Sequence, residues 1–542
     1  MSLDETLLEA DRQARSDALD ISRSFIVQAP AGSGKTELLI QRYLRLLATV
    51  DSPEEILAIT FTRKAASEMR LRVLEALEQA ERGEPADAPH KQITLDAAAS
   101  VLERDSERNW QLITQPRRMR IQTLDSLNAT IARMLPVTAA GASAGSSVGE
   151  DSEMSALYRE ASAATLDWLG EAGVAHDATR EVLLHVDTDT GIYVEYLSRM
   201  LRTRDQWLPF ISSGSLTQSE ADALRENFEK NLEQVVVEKL LELSSVVPRE
   251  LAGELFALVP YAAANLRDAG VAEHSMLMLD GLFDLPDAAP GELPVWRAIA
   301  DVLLTATGTV RKRITKTEGF PPKDGGEKQR MSDLLESLAD HSQFVARLQS
   351  ARHLPPARYS DEQWQVLLAL FRLLPTAVGE FQRLCAARGV TDYIEIAMGA
   401  GTALGTAESP GDIALLLDYQ VRHILVDEMQ DTSRAQYRML EALTGGWQDG
   451  DGRTLFCVGD PMQSIYRFRN AEVAQFLLAR RNGIGSMRLD NLVLRRNFRS
   501  GEHLVHWFND VFPSVLPAHD DPFNGAVSYS EAVAAEQHRG QG

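Results

Sequence analysis

The sequence predicts an α/β protein in which a parallel sheet is interrupted by a large, mostly helical insertion. Short apolar runs typical of buried strands recur near both ends of the chain. Each run is followed by a polar or charged segment, and most then by a helical pattern, as in parallel sheets with crossover helices. Between about Leu135 and Tyr419, helical periodicity replaces these runs. With 542 residues, the chain is long enough for roughly three or more domains.

The predicted strands are short, and each ends where polar residues begin. The first run, Phe25 to Val27, precedes a helical repeat that contains Ile40 and Leu44. The other predicted strands are residues 56–61, 120–124, 423–426, 454–458 and 492–494. Ligands of parallel α/β sheets bind at the carboxyl ends of the strands, so the segments that follow these runs are expected to form a site.

The middle of the chain has a different character. A loop of small residues, 138–149, is followed by long stretches of helical periodicity such as Val236, Leu240, Leu243 and Val247. Residues 315–326 are rich in Lys, Gly and Pro, which predicts an exposed loop within this region.

Composition and charge narrow the class of protein. Hydrophobic residues make up 44% of the chain, as in globular proteins, and the formal net charge is −23. A negative net charge disfavours binding to nucleic acid, but the charge is not uniform along the chain. Arg and Lys cluster in short groups such as Arg117-Arg118-Arg120. The acidic excess lies on long helical stretches such as residues 220–242, which is compatible with an acidic shell around a local basic track.

Neither export nor insertion into a membrane is suggested by the sequence. The N-terminus is acidic without an apolar core, and no stretch reaches membrane-spanning length. The two cysteines, Cys385 and Cys457, are too few and too distant for a ligand cluster and indicate a reducing compartment. A cytoplasmic location without a membrane partner is therefore expected.

The segment "APAGSGKT" joins the first predicted strand to a helix. Gly32 and Gly34 let the backbone approach a ligand and turn amide hydrogens inward, and the helix end adds positive charge, which together make a phosphate cradle. Lys35 would reach β- and γ-phosphates, and the Thr36 hydroxyl would ligate magnesium. Only Ala29 departs from the strict phosphate-loop pattern. The alternative, a glycine turn with an incidental lysine, is disfavoured by the flanking strand and helix. The expected nucleotide contacts are Ala29, Pro30, Ala31, Gly32, Ser33, Gly34, Lys35, Thr36 and Glu37.

The run "HILVDEMQDT" places two carboxylates directly after an apolar strand. Asp427 would hold the magnesium through water, and Glu428 would polarise the water that attacks the γ-phosphate. Adjacent acids at a strand end also occur as solvated turn residues. The phosphate loop upstream favours the catalytic interpretation.

A third strand end carries "CVGDPMQSIYRFRNA", with Gln463 at the end of the strand. Tyr466, Phe468 and Arg469 follow it. Aromatic residues interleaved with arginines suit a platform on which nucleic-acid bases stack. A Tyr and a Phe buried in a helix are an equally ordinary interpretation.

Two further strings add basic residues at strand ends. "TFTRKAASEMRLR" puts Phe61 and Arg63 where a strand meets a helix, a position that also suits a solvated helix N-terminus. "RRNFRS" puts Arg499 where a guanidinium could reach a γ-phosphate and complete charge neutralisation.

In this order the strings resemble the motifs of a known enzyme family. "APAGSGKT", "TFTRKAASEMRLR", "IQTLDSL", "ILVDEMQDT", "VGDPMQSIYRFRNA" and "LRRNFRS" together resemble those of the UvrD/Rep-like superfamily 1 DNA helicases. Asp125, the long insertion before "DEMQDT", and the segments "EDSEMSALYREA" and "RMLRTRDQWLP" look most like the AddA/RecB branch, the exonuclease V beta-like helicase-nucleases of double-strand-break repair. The similarity runs from about residue 20 to 515, strong at the motifs and faint through the insertion.

The resemblance implies a RecA-like P-loop NTPase domain that uses ATP and Mg²⁺. Gln463 would sense the γ-phosphate and couple it to DNA, Arg499 would act as an arginine finger, Phe498 would stack on adenine and Gln13 would read it. The residues implied to touch single-stranded DNA are Phe61, Arg63, Thr123, Tyr466, Phe468 and Arg469. Two positions depart from the family: Met429 stands where an aromatic is usual, and Asp125 replaces a histidine.

The implied organisation is a motor domain split by an insertion. Residues 1–136 and 396–516 would form the first motor domain, residues 137–395 the helical insertion, and residues 517–542 a tail or the start of a truncated second motor domain. The expected function is that of the ATP-binding N-terminal half of a helicase that steps along single strands and separates duplex.

The expected partners are single-stranded and duplex-end DNA and a second helicase/nuclease subunit. Alone, the chain is expected to bind ATP and magnesium but to turn over slowly and not to unwind, because half of the nucleotide pocket would lie on the second motor domain. Two alternatives are a DNA-binding or assembly subunit with a silent helicase-like ATPase, and an unrelated P-loop kinase or signalling NTPase.

Overall fold

The chain divides into two compact units in the computed structural model. The residues described are 3–86, 88–134, 146–170, 172–211, 217–322, 326–406, 409–464, 473–522 and 525–535. The first unit contains residues 1–160, 202–209 and 380–542, and the second contains residues 161–201 and 210–379. The chain therefore leaves the first unit twice and returns to it twice.

The first unit is built on a parallel sheet. Its strands are β1 (Phe25–Gln28), β2 (Ile56–Thr60), β3 (Arg120–Thr123), β4 (His423–Val426), β5 (Thr454–Gly459) and β6 (Asp490–Val493). They lie in the order β3-β2-β4-β5-β1-β6, and every neighbouring pair is parallel. All the predicted strands are present, which confirms the predicted α/β class. β6 begins at Asp490, before the apolar run, because pairing with β1 outweighs the weak strand propensity of Asp490 and Asn491.

Helices cover both faces of this sheet. Alternate strand residues enter two different hydrophobic clusters: Val27 packs with the cluster that contains Leu38 and Val73, and Ile26 with the cluster that contains Leu127 and Leu440. This alternation follows from the two-residue period of a strand, and it explains why the strands read as continuous apolar runs. Helices wholly within this unit are Leu3–Ala18, Lys35–Leu47, Arg63–Glu81, Pro89–Arg108, Leu124–Met134, Arg204–Trp207, Tyr393–Leu404, Asp412–Gln420, Arg434–Leu443, Val473–Asn482 and Glu502–Val515.

Short strand pairs complete the first unit. Ser147–Val148 pairs with Val390–Thr391, and Arg496–Asn497 pairs with Val533–Ala534. The second of these pairs directly follows β6, so it holds the segment after β6 against a distant part of the chain.

The second unit is helical in the part of the chain that the structure describes. Its helices are Val174–His185, Gln218–Ser244, Leu251–Asp268, Ser275–Leu279, Leu293–Leu303, Glu327–Ala339 and Ser342–Arg352; helices Asp151–Ala164, Thr190–Arg202 and Asp361–Arg388 run across the unit boundaries. A core of apolar residues between Val236 and Ala357 holds most of them together. The sequence predicts that Val247 continues the helical periodicity of Val236, but it lies beyond the end of that helix at Ser244. Among the described residues, no helix combines the length and apolar character needed to cross a membrane.

A fully buried arginine joins the separate segments of the first unit. Both terminal nitrogens of Arg204 donate to the Asp392 carboxylate, at 2.7 and 2.6 Å, and one of them also donates to Glu395 at 3.1 Å. The Tyr158 hydroxyl donates to the same Asp392 carboxylate, and the Phe381 ring lies 4.7 Å from the Arg204 guanidinium carbon. Burial would lower the pKa of Arg204, but hydrogen bonds and charge from Asp392 raise it above its ordinary value. This network links residues 1–160, 202–209 and 380–542.

Replacing Arg204 with methionine should strongly destabilise the first unit. The change leaves Asp392 and Glu395 without their cation, and breaking a buried ion pair costs about 3–5 kcal/mol. The free energy of unfolding in urea measures the loss. As a control, Arg82→Met removes an exposed arginine paired with Glu78 and Glu84 and should leave the free energy of unfolding almost unchanged, because exposed ion pairs contribute little. Equal losses for the two variants would contradict the central place given to Arg204.

The buried His423 should make stability depend on pH. Its Nδ1 lies 2.8 Å from the Thr454 hydroxyl, and burial lowers its pKa to about 4. The unfolded imidazole titrates near 6.5, so the unfolded state binds more protons between these values. The contribution of His423 is therefore complete above about pH 6.5 and is lost as the pH falls towards about 4.

Urea unfolding across about pH 4–7 tests this contribution. The free energy of unfolding should fall by up to about 3 kcal/mol more on acidification in the wild-type chain than in His423→Asn. His503→Asn, which changes an exposed histidine, should keep the wild-type slope. Parallel curves for wild type and His423→Asn would contradict the prediction.

Candidate active site

The glycine-rich turn lies where the sequence predicts it, between β1 and the helix Lys35–Leu47. Gly32 and Gly34 have φ angles of +79° and +77°, a left-handed conformation that glycine adopts without strain. The Ala29 amide donates to the carbonyl of Gly459 at 2.9 Å, which joins the start of the turn to the end of β5. The result is a compact loop at a helix N-terminus, the geometry that suits a phosphate.

The segment after β6 packs directly on this loop. A Cβ atom on Gly32 would lie 2.8 Å from both Asn497 Oδ1 and Arg499 Cβ, which leaves no room for a side chain. The Phe498 amide donates to the Gly32 carbonyl at 2.7 Å. Asn497 Oδ1 accepts the backbone amides of Arg499, at 2.8 Å, and Ser500, at 2.9 Å, and so fixes the turn. Phe498 and Arg499 therefore lie beside the glycine loop.

Lys35 meets the two acids that follow β4. Its Nζ lies 2.5 Å from Glu428 Oε2 and 3.9 Å from Asp427 Oδ1. Burial raises the pKa of Asp427 to about 6, and the Lys35 charge opposes this rise. Glu428 has a φ of +54°, a conformation that costs energy for a residue with a side chain. A triphosphate in the loop would thus face one cation and two carboxylates, which fits nucleotide held with a divalent metal.

A chain of hydrogen bonds leads from Glu428 to Gln463. The Gln430 amide donates to Glu428 Oε2 at 2.8 Å, and its oxygen accepts the backbone amide of Asp460 at 2.9 Å. The Gln463 side chain donates to the Asp460 carboxylate. Burial raises the pKa of Asp460, while its hydrogen bond from Gln463 lowers it. The sequence prediction missed Gln430 and Asp460, although both are polar residues inside motifs at strand ends.

A further carboxylate lies on the same turn. Asp431 accepts a hydrogen bond from the Ser464 hydroxyl at 3.3 Å and another from Gln430 at 3.2 Å. Burial and the charge of Glu428 raise the pKa of Asp431 to about 6. Asp431 therefore joins the turns after β4 and β5.

The remaining predicted phosphate and metal contacts lie on the loop and the first turn of its helix. Thr36 is half-buried there, and its role as a magnesium ligand with Asp427 stays a prediction. Glu37 accepts a hydrogen bond from the Thr94 hydroxyl on the helix Pro89–Arg108, so its carboxylate also braces that helix.

Three of the predicted DNA contacts lie at or just after the ends of two neighbouring strands. Thr123, the last residue of β3, is buried and accepts the Ser126 amide at 3.2 Å. Phe61 follows β2, the strand paired with β3, and Arg63 begins the next helix with an exposed side chain. The other three predicted contacts, Tyr466, Phe468 and Arg469, lie outside the described residues.

The N-terminal helix contacts the site through residues that the sequence prediction missed. Gln13 is exposed, and its amide donates to Asp17 at 2.7 Å, so its adenine contact stays a prediction. Asp11 and Arg15 face the glycine loop instead: Arg15 donates to the Ser33 carbonyl at 2.6 Å and to both carboxylate oxygens of Asp11. The available signal was their spacing of four residues, which puts opposite charges on one helix face.

Comparison with known proteins agrees with this architecture. Residues 10–247 and 288–482 match the family model described as the UvrD/REP helicase N-terminal domain. The chain belongs to this family. The match covers most of the first unit and most of the second unit, and it confirms the family predicted from the ordered motifs.

Relatives of this UvrD/REP helicase domain carry a common name. Proteins named as the AddA subunits of ATP-dependent helicase/nucleases from Oceanobacillus iheyensis and Desulforudis audaxviator are each 27% identical over 94% of this chain, and the one from Exiguobacterium sibiricum is 26% identical over 94%. The chain spans 39% of the first of these proteins and 40% of the other two, about two fifths of their length. The resemblance to the AddA branch is thereby confirmed.

Adding a methyl group to Gly32 should disrupt the site of this UvrD/REP helicase domain. Gly32→Ala would force Asn497 and Arg499 away from the loop, and it would strain a positive φ. We expect the affinity for Mg·ATP, measured by equilibrium binding, to fall at least about tenfold. Gly83→Ala is the matched control, because Gly83 has a φ of +65° and nothing within 4 Å of its added Cβ. Equal affinities for the two variants would contradict the packing argument.

Proposed function

We propose that the chain is the ATP-binding motor portion of an ATP-dependent DNA helicase that acts in double-strand-break repair. The observation that carries this proposal is the meeting of the glycine loop, Lys35, Glu428 and the Arg499 segment at one edge of the sheet. The family membership and the name that the relatives share support the same activity. A cytoplasmic location, as expected from the sequence, is part of the proposal.

The nucleotide would be held by the glycine loop and cleaved against the acids after β4. Lys35, now 2.5 Å from Glu428, would exchange this partner for the β- and γ-phosphates. A magnesium ion held by Thr36 and Asp427 would offset charge on the phosphate oxygens. Glu428 would then be released to orient and polarise the attacking water.

The segment after β6 would add further contacts to the nucleotide. Phe498, whose backbone is bonded to Gly32, would stack on the adenine, and Gln13 would read the base. Arg499, beside the same glycine, would add positive charge at the γ-phosphate as an arginine finger.

The link to DNA would run through Gln463. Gln463 contacts Asp460, and hydrogen bonds continue from Asp460 through Gln430 to Glu428. These contacts form a continuous path between two strand ends. A change at the γ-phosphate would thus reach the segment after Gln463, where Tyr466, Phe468 and Arg469 are predicted to touch DNA. The two central members of the path, Gln430 and Asp460, are buried, and their directional hydrogen bonds favour two discrete arrangements of the path.

Single-stranded DNA is the proposed ligand of the neighbouring strand ends. Phe61 and Arg63 follow β2, and Thr123 is the last residue of β3. β2 pairs with β4, which ends at the proposed catalytic acids. Aromatic and basic residues suit bases and phosphates respectively. We further propose that the protein prefers duplex ends and acts with a partner chain. The partner chain follows from the name of the relatives, which describes each of them as one component of a helicase/nuclease.

The helical unit is proposed to be the insertion of this motor. Its residues, 161–201 and 210–379, fall within the predicted insertion 137–395. Residues 1–136 and 396–516 then form one motor domain, in keeping with the strands that each contributes to a single sheet.

A silent ATPase is the less favoured alternative. Glu428 keeps a strained backbone and a direct contact with Lys35, and a site without catalytic use has no reason to retain such strain. A kinase or signalling NTPase would share the glycine loop but would not respond to single-stranded DNA.

ATP hydrolysis with and without single-stranded DNA tests the proposal. The chain alone is expected to hydrolyse ATP slowly, and we expect the DNA to raise this slow rate, because the DNA track and the nucleotide site share the strand edge. Lys35→Ala should lose Mg·ATP binding, whereas Glu428→Gln should bind Mg·ATP but lose at least about a hundredfold in rate. Glu68→Gln, an exposed change on the helix Arg63–Glu81, is the control and should match the wild type. Hydrolysis that ignores DNA, or that survives in Glu428→Gln, would refute the proposed mechanism.

A further inference from the structure

The N-terminal helix contains an ion pair that supports the glycine loop. Asp11 is fully buried, and its Oδ1 accepts the backbone amides of Arg495 at 2.9 Å and Arg496 at 3.1 Å. Its Oδ2 accepts Arg15 Nε at 2.8 Å, and Oδ1 also accepts Arg15 Nη2 at 3.2 Å. One buried carboxylate thus holds both the Arg15 guanidinium and the segment after β6.

The Arg15 guanidinium in turn holds one peptide group of the glycine loop. Its Nη2 donates to the Ser33 carbonyl oxygen at 2.6 Å. In a trans peptide the carbonyl and the following amide point in opposite directions, and every peptide bond described here is trans. Fixing the Ser33 oxygen towards Arg15 therefore directs the Gly34 N–H away from Arg15. The neighbouring carbonyl of Gly32 is held in a similar way by the Phe498 amide.

We propose that Arg15, anchored by Asp11, is a positioning residue that sets the phosphate cradle by orienting the Gly34 amide. The inference rests on the proposed function, since it assumes that this loop binds a triphosphate. A fixed amide loses no entropy when the phosphate arrives, so its orientation adds to affinity.

Arg15 also lies near the predicted adenine site, which allows a second interpretation. Its guanidinium carbon is 5.3 Å from the centre of the Phe498 ring, and that of Arg496 is 5.9 Å away. If Arg15 acted mainly through Phe498, its loss would weaken binding of the base and leave phosphate binding intact. A ligand without a base separates these two roles.

Equilibrium binding of Mg·ATP and of magnesium tripolyphosphate to the full 542-residue chain provides the test. Arg15→Met should weaken both ligands by the same factor, about tenfold, because the cradle contacts phosphates in each. Phe498→Leu should weaken Mg·ATP and leave tripolyphosphate unchanged. Arg12→Met, on the same helix but with an exposed guanidinium bonded to Glu9, is the matched control and should change neither.

A conservative variant keeps the test decisive if Arg15→Met does not fold. Arg15→Lys retains the charge but lacks the fork that reaches Asp11 and Ser33 together, so it should show a smaller loss for both ligands. Unfolding midpoints in urea confirm that each variant is folded. Wild-type affinity for tripolyphosphate in a folded Arg15 variant would overturn the inference alone. Failure of the wild-type chain to bind either ligand would overturn the proposed function itself.

Discussion

The parallel direction of all six strands is the constraint on which the rest of the molecule depends. It brings the carboxyl ends of strands that are hundreds of residues apart to one edge of the sheet. Along that edge, β3 and β2 end at the predicted DNA contacts, β4 ends at the acids, and β1 and β6 end at the loops that enclose the proposed nucleotide site. A single antiparallel strand would move its loop to the opposite edge. The order of the strands therefore sets which ligand each loop can reach.

The site combines a strained backbone with charged side chains that the surrounding structure holds in place. Glu428 adopts a left-handed backbone, and Lys35 faces two carboxylates, neither of which would persist in an isolated segment. The surrounding structure supplies the compensation, through the strand pairing of β4 and through the Asp11–Arg15 pair behind the glycine loop. The proposed chemistry thus depends on helices and strands that never touch the reacting atoms, and catalytic geometry is a property of the whole first unit.

Local sequence pattern predicts the strands and the glycine loop because both depend on residues close in sequence. Apolar runs identify buried strands, and Gly32 and Gly34 are required by their backbone angles. Local pattern does not predict contacts between residues that are distant in sequence. The link from Glu428 to Gln463 crosses two motifs, and the Arg204 network joins residues nearly two hundred positions apart. The adenine contact of Gln13 stays a prediction, whereas packing in the folded chain places Arg15, on the same helix, against the Ser33 carbonyl.

We propose that ATP and single-stranded DNA bind to two coupled sites on one sheet edge. Coupling between binding sites is reciprocal, so each ligand must change the affinity for the other by the same factor. We would measure both affinities in the Glu428→Gln variant, titrating a fluorescent oligothymidine with and without Mg·ATP, and Mg·ATP with and without the oligonucleotide. We expect equal factors of at least about fivefold in the two titrations. Two affinities that are each indifferent to the other ligand would contradict it.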